Sequence, residues 1–572
     1  MIHCSEKQTR VNNRTTVTAL RGWLNSIDWK LLLFLLLFLD VKLVIKVVAI
    51  VLVFLLRPDL KFGFRRKGSR LPLFYPILII IALLNWLVSG AIVNFRYDIV
   101  LLTGTLFWLF CILAIHQVKL SVEQNDPAII HRTILVFFIL NAAVSLGVYF
   151  SIIIETGHLN PYRYQGHFQK YFIGTGDYIK GISFDTSTTN AVLNAFGIIY
   201  FLSRHRYGMT LLCMAVLLLT GSNVINLLVC AVLLVIFIFQ SNKDQKSTIV
   251  TCLLLLLVFM IKVSPQNNLY VIAFWKRLRN EPFTVNYSSP HMIRITDRPD
   301  SSLSPDEKKQ KIAQVYLDSM NNIMTIKEKS QGVEIASMNA ANTINPSHRV
   351  TLIEKPLIPK DSIHTRTFQH KNDTTFVQKK LLAFIDEHKT QLPIASVKKA
   401  NPLLPGKLLA MQQTFRYYQQ HPLQLLLGTG MGNFSSKLAF RVTGMNTSGG
   451  YPVRFSYMND AFRQNHFDLY LYYFTGTEGL HSLINSPDST YDQLLGEYGL
   501  AGLFAFIFLY LGFFVKRTGR KDYAAYLLLF MLGGFFIEYW FEQLSVIVFF
   551  ELLVFLNIKE TETKPIHETG HA

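Results

Sequence analysis

The sequence predicts an all-α polytopic membrane protein with about 12 transmembrane helices and one large, mainly helical extracytoplasmic loop. Two observations predict this class. Hydrophobic residues make up 51% of the 572 residues, and they gather in long apolar runs. Charged residues make up only 16% of the chain, against about 25% in soluble proteins. The mean hydropathy is accordingly positive, at +0.29.

The first apolar run extends from Leu31 to Leu56 and is interrupted by Asp40, Lys42 and Lys46. Its length is large for one membrane span and small for two, because a spanning helix needs about 20 residues. We predict a short helical hairpin with the charged residues near its tip. A single tilted helix is the alternative.

Ten further spans follow from the same reasoning. They are predicted at 71–90, 98–117, 132–154, 183–203, 208–222, 223–240, 249–263, 490–515, 523–540 and 543–557. Lys and Arg collect in Arg57–Arg70, 204–207, 241–248 and 516–521. Because cytoplasmic connections carry an excess of Lys and Arg, these four connections and both termini are predicted to be cytoplasmic.

The domain organisation follows from these spans. We predict a cytoplasmic tail (1–30), helices one to nine (31–263), a large loop outside the cytoplasm (264–489), helices ten to twelve (490–557) and a second cytoplasmic tail (558–572). Apolar residues at helical spacing predict three helices in the loop. They are Ser304–Ser330, Thr375–His388 and Gly406–Gln420, the last one stopped by Pro422.

Charge and cysteine usage exclude other classes. The net charge of +19 is explained by the orienting excess of Lys and Arg, so no nucleic-acid partner is predicted. The cysteines lie in the N-terminal tail or in apolar stretches, which excludes a disulfide framework in the loop and leaves no zinc-ligand spacing. They are Cys4, Cys111, Cys213, Cys230 and Cys252.

The glycines Gly428, Gly430 and Gly432 admit three interpretations. A dinucleotide site needs a preceding strand, a following helix and an acidic residue about 20 residues on, and it is disfavoured in a loop outside the cytoplasm. A tight turn needs glycine for its positive φ angles. A nest of backbone amides that faces an anion is the intermediate interpretation.

Three sequence blocks resemble the O-antigen ligase and polymerase family of bacterial membrane glycosyltransferases. They are HPLQLLLGTGMGNF (421–434), STYDQLLGEYGLAGL (489–503) and the short connection Thr220-Gly221-Ser222-Asn223. Twelve spans with a large loop between the ninth and tenth also match the family. The resembling part of the loop is 406–489, whereas 290–400 looks like an insertion.

The resemblance implies a GT-C-like fold in the bacterial inner membrane, with the loop in the periplasm. It implies transfer of glycan from a polyprenyl-diphosphate-linked saccharide to a glycan or lipid-glycan acceptor, in surface polysaccharide assembly. No cofactor or metal is implied. Ligase and polymerase remain open. The rival interpretations are a polysaccharide transporter or flippase, and a catalytically degenerate scaffold of an envelope assembly complex. The insertion 290–400 is expected to bind an envelope-assembly protein or the acceptor.

The chain departs from the family at three positions, where Lys407 and Asn223 replace arginines and Asp488 replaces the histidine taken as catalytic. Asp488 is therefore the candidate general base, and the alternative is that Asp488 or Ser489 caps the following helix. Two histidines, His466 and His481, are alternative bases, or ordinary buried side chains. Glu497 is expected to be a buried polar anchor.

A diphosphate needs cationic partners. Lys407 is the positional candidate, and Arg277, Arg279 and Arg441 are further candidates. Additional cations are Arg454, Arg163 and Lys180. A solvated surface side chain is the alternative for each. The membrane lipid is the remaining partner, since the Phe-rich spans are expected to hold the polyprenyl chain or simply to contact lipid.

Overall fold

A computed structural model of the chain describes residues 26–40, 42–65, 68–89, 94–163, 175–264, 279, 406–443, 451–467, 469–470, 486–519 and 522–563. The described residues form helices and connecting turns, with no strand among them. The all-α class is therefore confirmed for this part of the chain. The predicted helices Ser304–Ser330 and Thr375–His388 and the predicted insertion 290–400 lie outside the described residues.

A helix lies in each of the twelve segments that the sequence predicts to span a membrane. Before the large loop, these are α1 (Trp29–Phe38), α2 (Leu43–Leu56), α3 (Phe74–Val88), α4 (Phe95–Gln124), α5 (Pro127–Thr156), α6 (Ser187–Ser203), α7 (Tyr207–Leu219), α8 (Asn223–Phe239) and α9 (Lys243–Val258, continued by a π-helical turn, Phe259–Val263).

The loop contributes α10 (Gly406–Gln420), α11 (Lys437–Arg441) and α12 (Asp460–Asn465). After the loop come α13 (Thr490–Ala505, a π-helical turn Phe506–Leu511, then Gly512–Val515), α14 (Tyr523–Ile537) and α15 (Leu544–Thr563). Short 3₁₀ turns connect them at Pro161–Arg163, Thr175–Tyr178, Gly181–Ser183, Pro422–Leu425 and Val453–Phe455. The predicted end of α10 before Pro422 is confirmed.

By length and composition, α4, α5, α9 and α13 are long and apolar enough to cross a membrane. Six shorter apolar helices of 10–17 residues accompany them in the described part of the chain. A helix of 20 residues covers about 30 Å, the thickness of the bilayer hydrocarbon. The chain is therefore a helical membrane protein.

The predicted hairpin at the first apolar run is confirmed. Helices α1 and α2 pack against each other, and Asp40 and Lys42 lie between them. Lys46 lies one turn inside α2 and is buried. Its ammonium donates to Phe38 O at 2.7 Å and to Ser545 Oγ at 2.6 Å. The lysine thus satisfies a carbonyl at the end of α1, which an apolar environment would otherwise leave unpaired.

The basic connections meet at one end of the bundle. Arg57, which follows α2, forms an ion pair of 2.9 Å with Asp28. Arg517, which follows α13, donates to Ser69 O at 2.7 Å. Further links at this end are Arg70 with Glu123, Arg204 with Glu560 and Lys559 with Val122 O. The connections predicted to share one side of the membrane therefore lie together. We call this region the basic end.

Aromatic side chains fill the core where α3, α4 and α13 meet. The ring centroid of Phe74 lies 5.0 Å from that of Phe541 and 5.3 Å from that of Tyr510. The Trp108 indole N–H donates to Tyr498 Oη at 2.9 Å. Many phenylalanines of this chain therefore pack against each other inside the bundle, which is a third role beside lipid contact and polyprenyl binding.

Asp28 generates a prediction for stability, because it is 7% exposed and joins three elements. Its carboxylate accepts from the Lys30 and Leu31 amides at 3.1 Å and from Asn125 Nδ2 at 2.8 Å, besides pairing with Arg57. Asp28→Ala should lower the free energy of unfolding by about 3 kcal/mol, because Arg57 loses its buried partner. Unfolding in detergent measures it.

The matched control for this prediction is Asp126→Ala at the start of α5. Asp126 also caps a helix, accepting from the Ala128 amide at 2.8 Å, but it is exposed. Asp126→Ala should lower the free energy of unfolding by about 1 kcal/mol, the usual contribution of a helix cap. Equal unfolding midpoints for the two variants would contradict the role given to Asp28.

Candidate functional site

The segment 425–436, which we call the glycine loop, packs against a break in α13. At Gly499 the backbone leaves the helical conformation, with φ 64° and ψ −160°. Three backbone hydrogen bonds of 3.0 Å join the loop to α13 on both sides of the break: Thr429 N–H to Gly496 O, Gly430 N–H to Glu497 O, and Ala501 N–H to Leu426 O. The break frees backbone groups of α13, and the loop satisfies them.

All three glycines of the loop adopt positive φ, as the tight-turn interpretation requires. The angles are 77° at Gly428, 98° at Gly430 and 72° at Gly432. At Gly428 a Cβ atom would lie 2.4 Å from the backbone carbonyl carbon of Glu497. Glycine is therefore needed there both for its backbone conformation and for the close approach to α13.

Glu497 occupies the amide nest that the glycine loop forms. The Gly432 N–H donates to Glu497 Oε2 at 2.7 Å, and the Phe434 N–H donates to Oε1 at 3.2 Å. The side chain is 1% exposed. The anion that faces these amides is therefore the chain's own carboxylate, and the expectation that Glu497 is a buried anchor is confirmed. These two amides are not available to a nucleotide phosphate.

Lys407, at the start of α10, is buried, with 1% of its surface exposed. Its ammonium donates to Ser486 Oγ at 2.9 Å and to Ile537 O at 2.6 Å. The carbonyls of Ser486 and Asp488 complete its shell. Burial lowers the pKa of Lys407 to about 8, against the opposing effect of Asp488 and Glu538. Lys407 thus ties α10 to the segment before α13 and to the end of α14.

This geometry corrects the prediction that Lys407 binds the substrate diphosphate. An ammonium has three N–H donors. Four protein acceptors already surround the Lys407 ammonium. It is also not the exposed lysine of the alternative interpretation. Its charge acts on the two carboxyl groups beside it.

Asp488 lies immediately before α13 and is half-buried. Burial, together with the charge of the neighbouring Glu538 and a hydrogen bond with it, raises the pKa of the Asp488 carboxyl group to about 7. Lys407 and Lys437 act in the opposite direction. A hydrogen bond between two carboxyl groups requires a proton on one of them. The raised pKa means that the Asp488 carboxyl group exchanges its proton near neutral pH.

The capping alternative holds for position only: Ser489 is the N-cap residue, but its side chain makes no capping hydrogen bond. Helix α13 begins at Thr490, and neither Asp488 nor Ser489 caps its backbone with a side chain. The buried Ser489 hydroxyl makes no hydrogen bond to any other described residue. The Thr490 hydroxyl instead donates to Glu538 O at 2.7 Å, which joins the start of α13 to the end of α14. Asp488 is therefore free of the helix terminus.

Helix α11 brings two cations to the same region. Lys437 is close enough to lower the pKa of both Asp488 and Glu542. Arg441 is half-buried, and its guanidinium carbon lies 5.9 Å from the ring centroid of Phe107. Burial raises the pKa of Glu542 to about 8, and both cations oppose that rise. The region thus contains three acidic and three basic side chains: Asp488, Glu538, Glu542, Lys407, Lys437 and Arg441.

His466 belongs to a different, buried network. It has no exposed surface. Its Nδ1 lies 2.9 Å from Gln413 Oε1, and its Nε2 lies 3.3 Å from Thr414 Oγ1 and 4.0 Å from Asp492 Oδ2. Burial lowers the pKa of His466 to about 3, so the ring is neutral at pH 7. His466 is therefore a fully buried side chain, as its alternative interpretation expects.

The remaining predicted residues are not brought into this cluster. Arg277 and His481 lie outside the described residues. Arg279 is exposed, and no hydrogen bond or ion pair links it to another described residue. Arg454 is exposed beside the Phe455 ring, and Lys180 neighbours Asp177. Within the described ranges, no three His, Cys, Asp or Glu side chains come together to hold a metal ion.

The short connection between α7 and α8 carries buried polar atoms without partners. Asn226, one turn into α8, is 3% exposed. Neither atom of its amide makes a hydrogen bond to any described residue, nor do Ser222 Oγ and Asn223 Oδ1. The backbone carbonyl of Leu219, the last residue of α7, accepts a hydrogen bond from the Tyr162 hydroxyl. Buried polar atoms normally have a partner, so this cluster is suited to contact a polar ligand or water.

Sequence reasoning missed Glu538, Glu542 and Lys437. The two glutamates lie in FFIEYWFEQ, where acidic residues interrupt an apolar stretch next to a predicted span. Ionisable residues within or next to a membrane span are usually functional or paired. Their place in this apolar stretch could have identified the two glutamates from the sequence. The predicted span 523–540 also extends too far, because α14 ends at Ile537 and Glu538 has an extended backbone. Lys437 had no distinguishing signal in the sequence.

In comparisons with known proteins, no protein-family model, no curated protein and no solved structure matches the chain.

The break in α13 generates a prediction for Gly499→Ala. A Cβ atom at Gly499 would lie 2.5 Å from Leu425 O and 2.6 Å from Gly428 N, at a φ of +64°. Alanine does not adopt this backbone conformation without strain of about 1–3 kcal/mol, and the contacts add to that cost. The variant should lose the docked glycine loop and melt at a clearly lower temperature in detergent.

Gly147→Ala in α5 is the matched control, because a Cβ atom there meets nothing within 4 Å. Its helical backbone suits alanine, which should stabilise α5 by up to about 1 kcal/mol. A melting temperature for Gly499→Ala equal to that of the wild type would contradict the geometry described for the break.

Proposed function

We propose that this protein is a membrane glycosyltransferase that transfers glycan from a polyprenyl-diphosphate-linked saccharide to a sugar hydroxyl. The observation that carries the proposal is the half-buried Asp488 carboxyl group, whose pKa is raised to about 7 by burial and by Glu538. A general base works best when its pKa is near the operating pH. The resemblance of the surrounding sequence blocks to the ligase and polymerase family supplies the substrate class.

In the proposed reaction, the ionised Asp488 takes the proton of the acceptor hydroxyl. The hydroxyl oxygen attacks the anomeric carbon of the donor sugar, and the bond from that carbon to the diphosphate oxygen breaks. The bonding electrons leave with the diphosphate. The proton stays on the Asp488 carboxyl group until water takes it. Such base assistance contributes about 10²–10⁴-fold to the rate.

Lys437 and Arg441 are the cations that we assign to the leaving diphosphate. Both are half-buried rather than fully enclosed, and they lie on one short helix beside the Asp488 region. Stabilisation of the charge that develops in the transition state is often the largest contribution to catalysis. Lys407 positions Asp488 instead, because its ammonium contacts the Asp488 carbonyl and offsets the charge of the carboxyl pair.

The unpartnered amide of Asn226 supports a saccharide substrate. An amide offers donors and an acceptor together, and sugar hydroxyl groups need both. In this assignment, the connection 220–223 binds the glycan by neutral hydrogen bonds where the resembling family has an arginine.

We assign the basic end to the cytoplasm, since Lys and Arg concentrate in cytoplasmic connections. This assignment directs α10 and Asp488 to the periplasm of a bacterial inner membrane, with both termini cytoplasmic. Lipid-linked saccharides are then met at the outer leaflet. The twelve helices would each cross the membrane, the shorter ones with the local bilayer thinned around them.

A degenerate scaffold is the second candidate function. Two groups in the family-like part of the chain already have protein partners, which favours this candidate. The amide nest is filled by Glu497, and the Lys407 ammonium is fully hydrogen-bonded. Turnover by the purified protein separates the two candidates, since a scaffold has none.

The first functional prediction concerns Asp488→Asn. With lipid-linked donor and acceptor supplied, this variant should form elongated or ligated glycan at least about 100-fold more slowly, because an amide cannot accept the proton. Asp460→Asn is the matched control, since Asp460 is an exposed carboxylate of the same loop. Wild-type rates for Asp488→Asn would rule out Asp488 as the base.

The pH dependence gives a second functional prediction. Only ionised Asp488 can accept a proton, and the raised pKa means that protonation inhibits below about pH 7. The value of kcat/KM should therefore rise about tenfold per pH unit below this point and level off above it. The residual activity of Asp488→Asn should lack this rising limb. A flat wild-type profile between about pH 5 and about pH 8 would contradict the assignment.

A further inference from the structure

A groove opens on the outside of the bundle at the basic end, between the start of α3 and the end of α13. Its volume is about 210 Å³. One wall is apolar, formed by Leu73, Phe508, Leu509 and Phe513, and the other end carries Lys516 and Arg517. The Phe508 side chain is 66% exposed. The groove is therefore apolar towards the bilayer and cationic towards the end of the helix.

Two features of α13 create the groove. The π-helical turn Phe506–Leu511 widens the helix and shifts the side chains that follow it. Gly512 comes next and has no side chain to fill the space. A Cβ atom at Gly512 would meet only Ile507 O, at 3.4 Å, so the space beside it is open. π-Helical turns of this kind often mark functional positions in helices.

The cationic end of the groove is partly fixed in place. The guanidinium of Arg517 donates to Ser69 O at 2.7 Å and stacks over the Phe513 ring, with its central carbon 3.9 Å from the ring centroid. A guanidinium has five N–H donors, so the hydrogen bond to Ser69 leaves others for a ligand. Lys516 beside it is exposed. Together they present two positive charges above an apolar wall.

We propose that this groove binds an anionic phospholipid. Its phosphate group contacts Lys516 and Arg517, and one acyl chain lies along Phe508, Leu509 and Phe513. Basic pockets between membrane helices at the cytoplasmic face are suited to anionic head groups. The charge and the apolar wall both match a lipid that carries a phosphate next to its acyl chains.

The groove is remote from the Asp488 region. Helix α13 begins beside Asp488 and ends beside Lys516, and its 26 residues are long and apolar enough to cross a membrane. A lipid in the groove is therefore at the opposite membrane face from the proposed transfer reaction. The occupant is assigned as a bilayer phospholipid from the charges and the apolar wall of the groove, and neither feature depends on the proposed function.

The test uses the purified full chain in detergent, titrated with phosphatidylglycerol and with phosphatidylcholine of the same acyl chains. Bound lipid is counted by native mass spectrometry. Two groove variants are compared: Lys516→Ala combined with Arg517→Ala, which removes the charges, and Gly512→Leu, which fills the space on a helical backbone. Lys243→Ala is the control, because Lys243 is an exposed cation at the start of α9. Thermal melting shows that each variant is folded.

The wild type should bind phosphatidylglycerol more tightly than phosphatidylcholine. The double alanine variant should weaken phosphatidylglycerol binding by about five-fold or more, because each cation near a membrane surface contributes about 1 kcal/mol. Gly512→Leu should weaken it because its side chain fills the groove. Lys243→Ala should bind as the wild type does. Equal binding of the two lipids, or unchanged binding in both groove variants, would overturn the proposal. Tighter binding of polyprenyl phosphate than of phosphatidylglycerol would also overturn it, because the groove would then be a carrier site.

Discussion

The hydrogen bonds between the glycine loop and α13 are the interaction on which the site depends. Inside a membrane protein, backbone groups that leave a helix must find partners within the protein, because lipid offers none. The break at Gly499 frees such groups, and the loop supplies their partners at Gly496, Glu497 and Ala501. In return, α13 fills the loop's amide nest with the Glu497 carboxylate. The loop and the broken helix therefore satisfy each other's polar groups at the start of α13.

The charged region at Asp488 is built on that framework. Burying one carboxyl group among apolar side chains is costly, and a second carboxyl beside it adds repulsion. Here the cost is offset by Lys407, whose ammonium lies among carbonyls of the segments that carry both acids. The Lys407 ammonium lies beside both carboxyl groups, and burial beside Glu538 favours a proton on Asp488. The resulting proton is held loosely enough to leave near neutral pH, which is the property that acid–base chemistry needs.

The sequence predicted the helices well and the site only in part. Charged residues at Asp40 and Lys42 divide one apolar run into two helices, and Pro422 ends α10, because both effects are local. Helical periodicity could not reveal that Lys407 is buried, since its acceptors lie at Ser486 and Ile537, 79 and 130 residues along the chain. Likewise, the partner of Asp488 is Glu538, which is brought near only when α13 and α14 pack together. Contacts between residues so far apart in the sequence depend on how the helices pack. A local sequence pattern does not contain that information.

The position of Lys407 in the chain also has a consequence for biogenesis. During synthesis, α10 leaves the ribosome well before Ser486 and Ile537, so the lysine has no protein acceptors until the last helices are inserted. Until then its ammonium must stay hydrated, because burying an unpaired charge is prohibitive. Docking of α10 therefore waits for α13 and α14. A nascent chain that stops before these helices therefore lacks the acceptors that bury Lys407 in the complete protein.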